Sequence, residues 1–227
     1  MIARLRLRLM KRRALSAFQS GEYALAESLF QRIVAAEPGS PGARHNLALT
    51  FIAKGDYDEA ERLLLTELED FGEHYPRLRV LADLYYIAGR RQDAHVYYQR
   101  SLECEAPDGD RDFLTKRIDL TGDDERYERV KRGHQSFLEG NRLMKQQRWD
   151  EAISEFTRAA DFDETNIHAM NNAGSIYLNH KNDPRQAAGF FKRALHILNM
   201  PWIARNLRQA EKVIATGQET GQKGVKG

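Results

Sequence analysis

Small residues recur along this sequence at a constant interval, and that interval constrains the fold more than any single motif does. Ala26, Ala60 and Ala94 are each 34 residues apart, and Ala152 follows Ala94 after one such interval plus 24 further residues. A glycine, an acidic residue and a tyrosine stand just before Ala26 and Ala60. A fixed period near 34 residues predicts a row of helix–turn–helix units.

Two further sets of residues keep the same register. A small residue lies on the first predicted helix of every unit: Ala14, Ala48, Ala82, Gly140 and Gly174. A large residue lies four positions after the small one on every second helix: Phe30, Leu64, Tyr98, Phe156 and Phe191, the last of these following Ala187. Antiparallel helices approach closely only where one side chain is small, and the bulky residue one turn later fills the space beside it.

With these residues the chain resembles the tetratricopeptide repeat (TPR) family, whose pattern has small residues and Ala-x3-Phe at these positions. The repeats fall in five frames: 7–40, 41–74, 75–108, 133–166 and 167–200. The resemblance implies an all-α fold, a right-handed superhelix of antiparallel helix pairs with a C-terminal capping helix. Glu67 departs from the family, which usually has a small apolar residue there, and it predicts an irregular end to the second repeat around residues 71–74.

The frames divide the chain into segments. Residues 1–108 are three repeats with a basic first helix, and 133–200 are two more. The connector 109–132 is open to two interpretations, a hinge or a degenerate repeat, with Thr121 predicted to cap the helix that follows. A capping helix is expected over 201–216, and a disordered tail over 217–227.

The composition gives the whole chain little net charge, with 35 Lys and Arg against 33 Asp and Glu. It therefore predicts no general attraction to nucleic acid. The single cysteine, Cys104, allows no internal disulfide and suits a reducing, cytoplasmic compartment. No apolar run is long enough to cross a membrane, and the charged first residues do not resemble a secretory signal.

Basic residues are concentrated at the start of the chain, in the segment from Arg4 to Arg13. Such a patch could contact nucleic acid or an anionic membrane. The favoured interpretation is a solvated helix face whose apolar side holds Ile2, Leu5, Leu9 and Met10.

No catalytic arrangement is evident, so the chain is not expected to be an enzyme or to carry a metal or cofactor. The histidines are scattered, and none forms a pair with metal-ligand spacing. His134 and His168 occupy equivalent positions in adjacent repeats. A shared ligand site there is conceivable, but polar lining is the more common reason for such histidines.

The resemblance implies that the first helix of each repeat lines a concave groove. The predicted peptide-binding residues are Lys11, Leu15, Phe18, His45, Leu49, Ile52, Arg79, Asp83, Tyr86, Phe137, Asn141, Met144, Lys145, Asn171 and Ser175. Some family members clamp a C-terminal carboxylate with conserved lysines and asparagines, but Leu15, Leu49 and Asp83 break that pattern here. The mixture of apolar and basic groups favours an amphipathic, partly acidic peptide, although some apolar groups could instead pack between repeats.

The predicted function is therefore that of a protein-interaction adaptor, which binds a peptide or helix of a partner in its groove. Two alternatives remain open at this level: a secretion- or pilus-type chaperone that shelters an apolar client segment, and a regulatory subunit of a separate enzyme.

Overall fold

The computed structural model describes the backbone of residues 2–223 and the side chains of residues 5–217. Within that range the chain forms twelve α-helices and no strand. The helices group into two compact units, Met1–Ala106 and Pro107–Gly227, called unit 1 and unit 2.

Unit 1 consists of three helix pairs packed in chain order, each helix against the next. Its helices are α1 (Ile2–Gln19), α2 (Tyr23–Ala36), α3 (Ala43–Lys54), α4 (Tyr57–Phe71), α5 (Tyr75–Ile87) and α6 (Arg91–Glu103). This arrangement confirms the predicted all-α fold of antiparallel pairs for the first three repeats.

Unit 2 also packs its helices in chain order, and its last helix covers the fifth pair. The helices are α7 (Asp108–Gly122), α8 (Asp124–Lys145), α9 (Trp149–Phe162), α10 (Ile167–Asn179), α11 (Pro184–Ile197) and α12 (Pro201–Lys223). α12 extends beyond Thr216, where the sequence pattern predicted its end. Of the tail predicted over 217–227, residues 224–227 lie outside the described backbone.

The residues that recur at the repeat interval form the interior of both units. The alanines of the second helices are completely buried: Ala26, Ala60, Ala94, Ala152 and Ala187. In unit 2 the facing positions are so close that any side chain there would displace the facing ring. A Cβ added to Gly140 would lie 2.7 Å from the Phe156 ring, and one added to Gly174 would lie 2.7 Å from the Phe191 ring.

Glu67 lies inside α4, which ends at Phe71, and residues 72–74 before α5 are non-helical, where the sequence predicted an irregular end. The Glu67 side chain is 1% exposed. Its Oε1 accepts a hydrogen bond of 2.5 Å from the backbone N–H of Gly42, the N-cap of α3, whose φ of 81° suits glycine. The carboxylate of α4 thus binds the positive N-terminal end of α3, the first helix of the same repeat, which explains why a buried acid stands at this position.

The cap of α8 is Asp123, and the prediction of Thr121 was wrong. Asp123 has an extended backbone, and its side chain accepts a hydrogen bond from the N–H of Arg126. Thr121 lies inside α7, where its hydroxyl donates to the carbonyl of Arg117 at 2.7 Å. A side chain can cap a helix only from the residue at which the backbone leaves the helical conformation.

The apolar side predicted for α1 was also wrong at Leu5 and Leu9, whereas Met10 is half-buried and the side chain of Ile2 lies outside the described residues. Leu5 is 59% exposed and Leu9 is 55% exposed, whereas Ala14 and Ala17 are buried. Close packing on α2 requires small residues, so the alanines set the rotation of α1 and turn the two leucines outward.

Candidate peptide-binding surfaces

Unit 1 has a cleft of about 200 Å³ between its first and second helix pairs. Leu15 of α1, together with Phe30 and Ile33 of α2, gives the cleft an apolar wall. Lys11 and Asn46 add polar groups to its lining. The cleft therefore brings together two predicted site residues, Lys11 and Leu15, with seven that the prediction did not include, Phe30, Ile33 and Asn46 among them.

The polar groups of the cleft retain some capacity to bind a ligand. The Lys11 ammonium is 2.6 Å from a carboxylate oxygen of Glu37, and about two fifths of each side chain is exposed. Asn46 donates from Nδ2 to the carbonyl of Gly42 at 2.9 Å. Within the described part of the chain no donor is bound to Asn46 Oδ1, so this amide oxygen can accept from a peptide N–H.

His45, Leu49 and Ile52 are half-buried on α3. Burial lowers the pKa of His45 below its usual 6.5, although the nearby Glu67 carboxylate opposes this shift. His45 is therefore a neutral hydrogen-bonding group at neutral pH rather than a cation.

The α5 residues are largely engaged within their own repeat. Asp83 accepts a hydrogen bond of 2.6 Å from the Tyr98 hydroxyl, and the Arg79 Nε lies 3.6 Å from an Asp83 oxygen. Tyr86 is 5% exposed and packs edge-on against the Tyr98 ring, 6.0 Å away. Tyr86 thus packs against the second helix of its own repeat, rather than between repeats.

Phe18 has a similar internal contact, since its half-buried ring lies 5.8 Å from that of Tyr23. In unit 2, Phe137 and Met144 pack partly buried against the hydrophobic core, while Lys145 is exposed. Ser175 is half-buried on α10. Of these residues, Lys145 has the greatest freedom to meet a charged ligand.

Asparagine side chains form two hydrogen-bonded pairs that connect helices of unit 2. Asn172 of α10 donates to the Oδ1 of Asn141 on α8 at 3.2 Å. Asn206 of α12 donates to the Oδ1 of Asn171 at 2.8 Å. All four are half-buried, so these amides present both donors and acceptors at a partly exposed surface.

The sequence prediction included Asn141 and Asn171 but missed their partners, Asn172 and Asn206. A signal was present, because Asn172 and Asn206 are separated by the repeat interval of 34 residues. Residue 206 lies in the predicted capping helix, outside the five repeat frames, so the frames do not include this equivalence.

The histidines do not assemble a metal site in the part of the chain that is described. Residues 5–217 contain no group of three His, Cys, Asp or Glu side chains placed to hold an ion. His168 instead stacks on Trp202 at 5.4 Å, and burial lowers the pKa of His134 while Asp163 opposes this.

The lowered histidine pKa values predict an acid-sensitive stability. An unfolded histidine takes up a proton near pH 6.5, whereas the buried imidazoles of His45 and His134 resist protonation. Protons therefore bind preferentially to the unfolded chain, and stability is lost as the pH falls through about 6.5.

For unit 2 this loss can be measured as the shift of the urea midpoint between about pH 7.5 and about pH 5.5. Tryptophan fluorescence reports on this unit, since Trp149 and Trp202 both lie in it. The variant His134→Gln should show a smaller shift than the parent chain. An equal shift in the two proteins would contradict the assignment.

Among the described residues, no helix is both long enough and apolar enough to cross a bilayer.

Several solved structures are similar to this chain. YrrB, a TPR protein with an unusual peptide-binding site, is 18% identical over 86% of this chain and 88% of its own, with a TM-score of 0.41. MamA (41-end) from Desulfovibrio magneticus RS-1 is 14% identical over 84% and 94%, with a TM-score of 0.47. The TPR domain of P58(IPK) is 16% identical over 96% and 68%, with a TM-score of 0.43.

A search of curated proteins finds no match. Family models give a direct assignment, however. One model described as tetratricopeptide repeat matches residues 17–69, and a second with the same description matches 45–110 and 137–199. Repeats of this kind are typically non-catalytic interaction modules. Because the second model alone matches more than half of the sequence, the chain belongs to the tetratricopeptide repeat family.

Proposed function

We propose that this protein is an interaction scaffold whose unit 1 binds a short peptide segment of a partner protein. The proposal depends chiefly on one observation, the cleft that places exposed Leu15 beside the ammonium of Lys11 and the amide of Asn46. An apolar wall with a few polar groups is typical of a site that orients a ligand while burying part of it.

The chemistry of the cleft favours an amphipathic peptide with an acidic side chain. An apolar side chain would cover Leu15, which is 43% exposed. A carboxylate of the peptide would share or replace the contact that Glu37 makes with Lys11, and Asn46 Oδ1 would accept from a backbone N–H. The affinity of such a small site should be about micromolar, or about −8 kcal/mol.

In unit 2 we propose that the paired asparagines also bind a peptide, with less preference for the sequence of that peptide. Amide groups can bond a peptide backbone in either direction, and the exposed Lys145 supplies a positive charge nearby on α8. We place the interaction in the cytoplasm, which the single cysteine suits.

The test is to select peptides from a random display library on the purified chain and to measure their dissociation constants by calorimetry. Lys11→Glu and Leu15→Asp should each weaken binding at least about ten-fold, because the first repels an acidic peptide and the second removes the apolar contact. Circular dichroism would verify that each variant remains folded.

Matched controls make the same kinds of change away from the cleft. Arg32→Glu reverses an exposed charge on α2, and Val96→Asp replaces a valine that is 48% exposed on α6. Both should bind as the parent chain does. Equal binding by the cleft variants and these controls would refute the assignment of the cleft.

A further inference from the structure

The outward face of α1 combines an apolar centre with positive charge on both sides. Leu5 and Leu9 are one turn apart, and more than half of each side chain is exposed. At about 100° per residue, exposed arginines flank this pair, Arg8 and Arg12 on one side and Arg6 and Arg13 on the other. The face is opposite to Ala14, the point at which α1 is buried.

This face has no negative charge of its own. The sequence of α1 contains six basic residues and no acidic one. Among the side chains described, at residues 5–217, no carboxylate forms an ion pair with any of the four flanking arginines, whereas Lys11, nearer the cleft, is paired with Glu37. The positive charge therefore remains available to an external anion.

We propose that this face of α1 binds the surface of an anionic phospholipid membrane. A helix lying in the interface places its apolar residues at the boundary of the acyl chains and its basic residues among the headgroups. Arginines beside the leucines can extend toward lipid phosphates while their methylene groups cover apolar surface.

Other partners fit the face less well. Nucleic acid requires cations but gains nothing from two exposed leucines between them. A stable protein interface buries about 800 Å² on each partner around an apolar core, for which two leucines are a small centre. A lipid surface needs neither a shaped partner nor a large core, because each basic residue interacts separately with the negative potential.

Flotation of the full chain with vesicles tests the proposal. The chain should float with vesicles of equal parts phosphatidylglycerol and phosphatidylcholine, less so in high salt, and not with phosphatidylcholine alone. Arg8→Gln with Arg12→Gln should weaken binding about thirty-fold, which corresponds to about 1 kcal/mol for each basic residue. Leu5→Asn with Leu9→Asn should weaken it at least about ten-fold.

Two control variants change similar residues elsewhere. Arg205→Gln with Arg208→Gln removes two exposed arginines of α12, and Leu138→Asn removes a leucine of α8 that is 53% exposed. Both should bind vesicles as the parent chain does, and circular dichroism should be unchanged in all variants.

Three outcomes would overturn the proposal. The first is no flotation of the parent chain with anionic vesicles. The second is an equal loss of binding in the α12 or α8 controls. In the third, the leucine variant binds as the parent does while only the arginine variant fails. Binding to duplex DNA without binding to vesicles would assign the arginines to nucleic acid instead.

Discussion

Replacing Phe156 by alanine is expected to lower the free energy of unfolding of unit 2 by about 3–5 kcal/mol. Phe156 of α9 is completely buried in a cluster that includes Leu143 of α8 and Ile176 of α10. Its ring also covers Gly140. No neighbouring side chain can collapse into the space without separating the helices, so most of the cavity should remain and its full cost should be observed.

Urea unfolding followed by tryptophan fluorescence measures this loss, because both tryptophans of the chain lie in unit 2. Leu138→Ala is the matched control on α8. Since Leu138 is 53% exposed, the control should change stability by less than about 0.5 kcal/mol. A loss below about 1 kcal/mol for Phe156→Ala would show that this ring does not hold the helix pairs together.

Replacing Gly140 by leucine is expected to destabilise unit 2 by about 1–3 kcal/mol, and more if the helices cannot move apart. The atoms nearest an added Cβ belong to the Phe156 ring, at 2.7 and 2.8 Å. That ring is itself enclosed on all sides, so it cannot swing away as the end of an exposed side chain would.

Replacing Gly189 by leucine should instead stabilise unit 2. Gly189 lies inside α11, and an added Cβ would meet nothing within 4 Å. Leucine there gains helix propensity, worth about 0.5–1 kcal/mol, without a steric cost. Fluorescence-detected unfolding of both variants compares the two signs directly. Stabilisation by Gly140→Leu would refute the close approach of α8 and α9.

Substitutions at Gly140 and Phe156, made singly and together, test the same contact between α8 and α9. Repeat two has Ala48 and Leu64, both buried, at the positions of Gly140 and Phe156. Leucine lacks the ring atoms of Phe156 that lie 2.7 to 3.1 Å from a Cβ added at Gly140. Gly140→Ala should therefore cost less in a Phe156→Leu background than alone, with a coupling of about 0.5 kcal/mol or more.

The helix pairs could be predicted from the sequence because positions where two helices pack closely require small residues. Gly140 and Gly174 must be small, and their positions relative to Phe156 and Phe191 follow from helix geometry. The same pattern of small and large residues recurs at a fixed interval along the chain. The order of the elements and most of the core therefore required no knowledge of the fold in three dimensions.

Which side of α1 is buried could not be predicted in the same way. Leucines and arginines alternate from Leu5 to Leu9, which puts apolar residues on more than one side of the helix. Two apolar stripes then compete, and only contact with α2 selects the side of Ala14 and Ala17. The cap at Asp123 was missed for a related reason, since two candidates within two residues differ only in backbone conformation.

The candidate sites depend on side-chain directions that no spacing reveals. Tyr86 was predicted to face a ligand, but it is nearly enclosed against Tyr98. Asn46 was not predicted, because its place in the cleft depends on the turn around Gly42. Rotamers and turn geometry determine these features, and neither has a simple pattern in one sequence.

The most direct test of the proposed function is photo-crosslinking of a selected peptide to the chain. Benzoylphenylalanine would be placed at Leu15, in the cleft, or at Val96, which is similarly exposed on the second helix of the third pair. Crosslinking from Leu15 that unlabelled peptide suppresses, with little from Val96, is the result predicted by a peptide site in unit 1. Equal crosslinking from both positions, or crosslinking from Val96 alone, would contradict it.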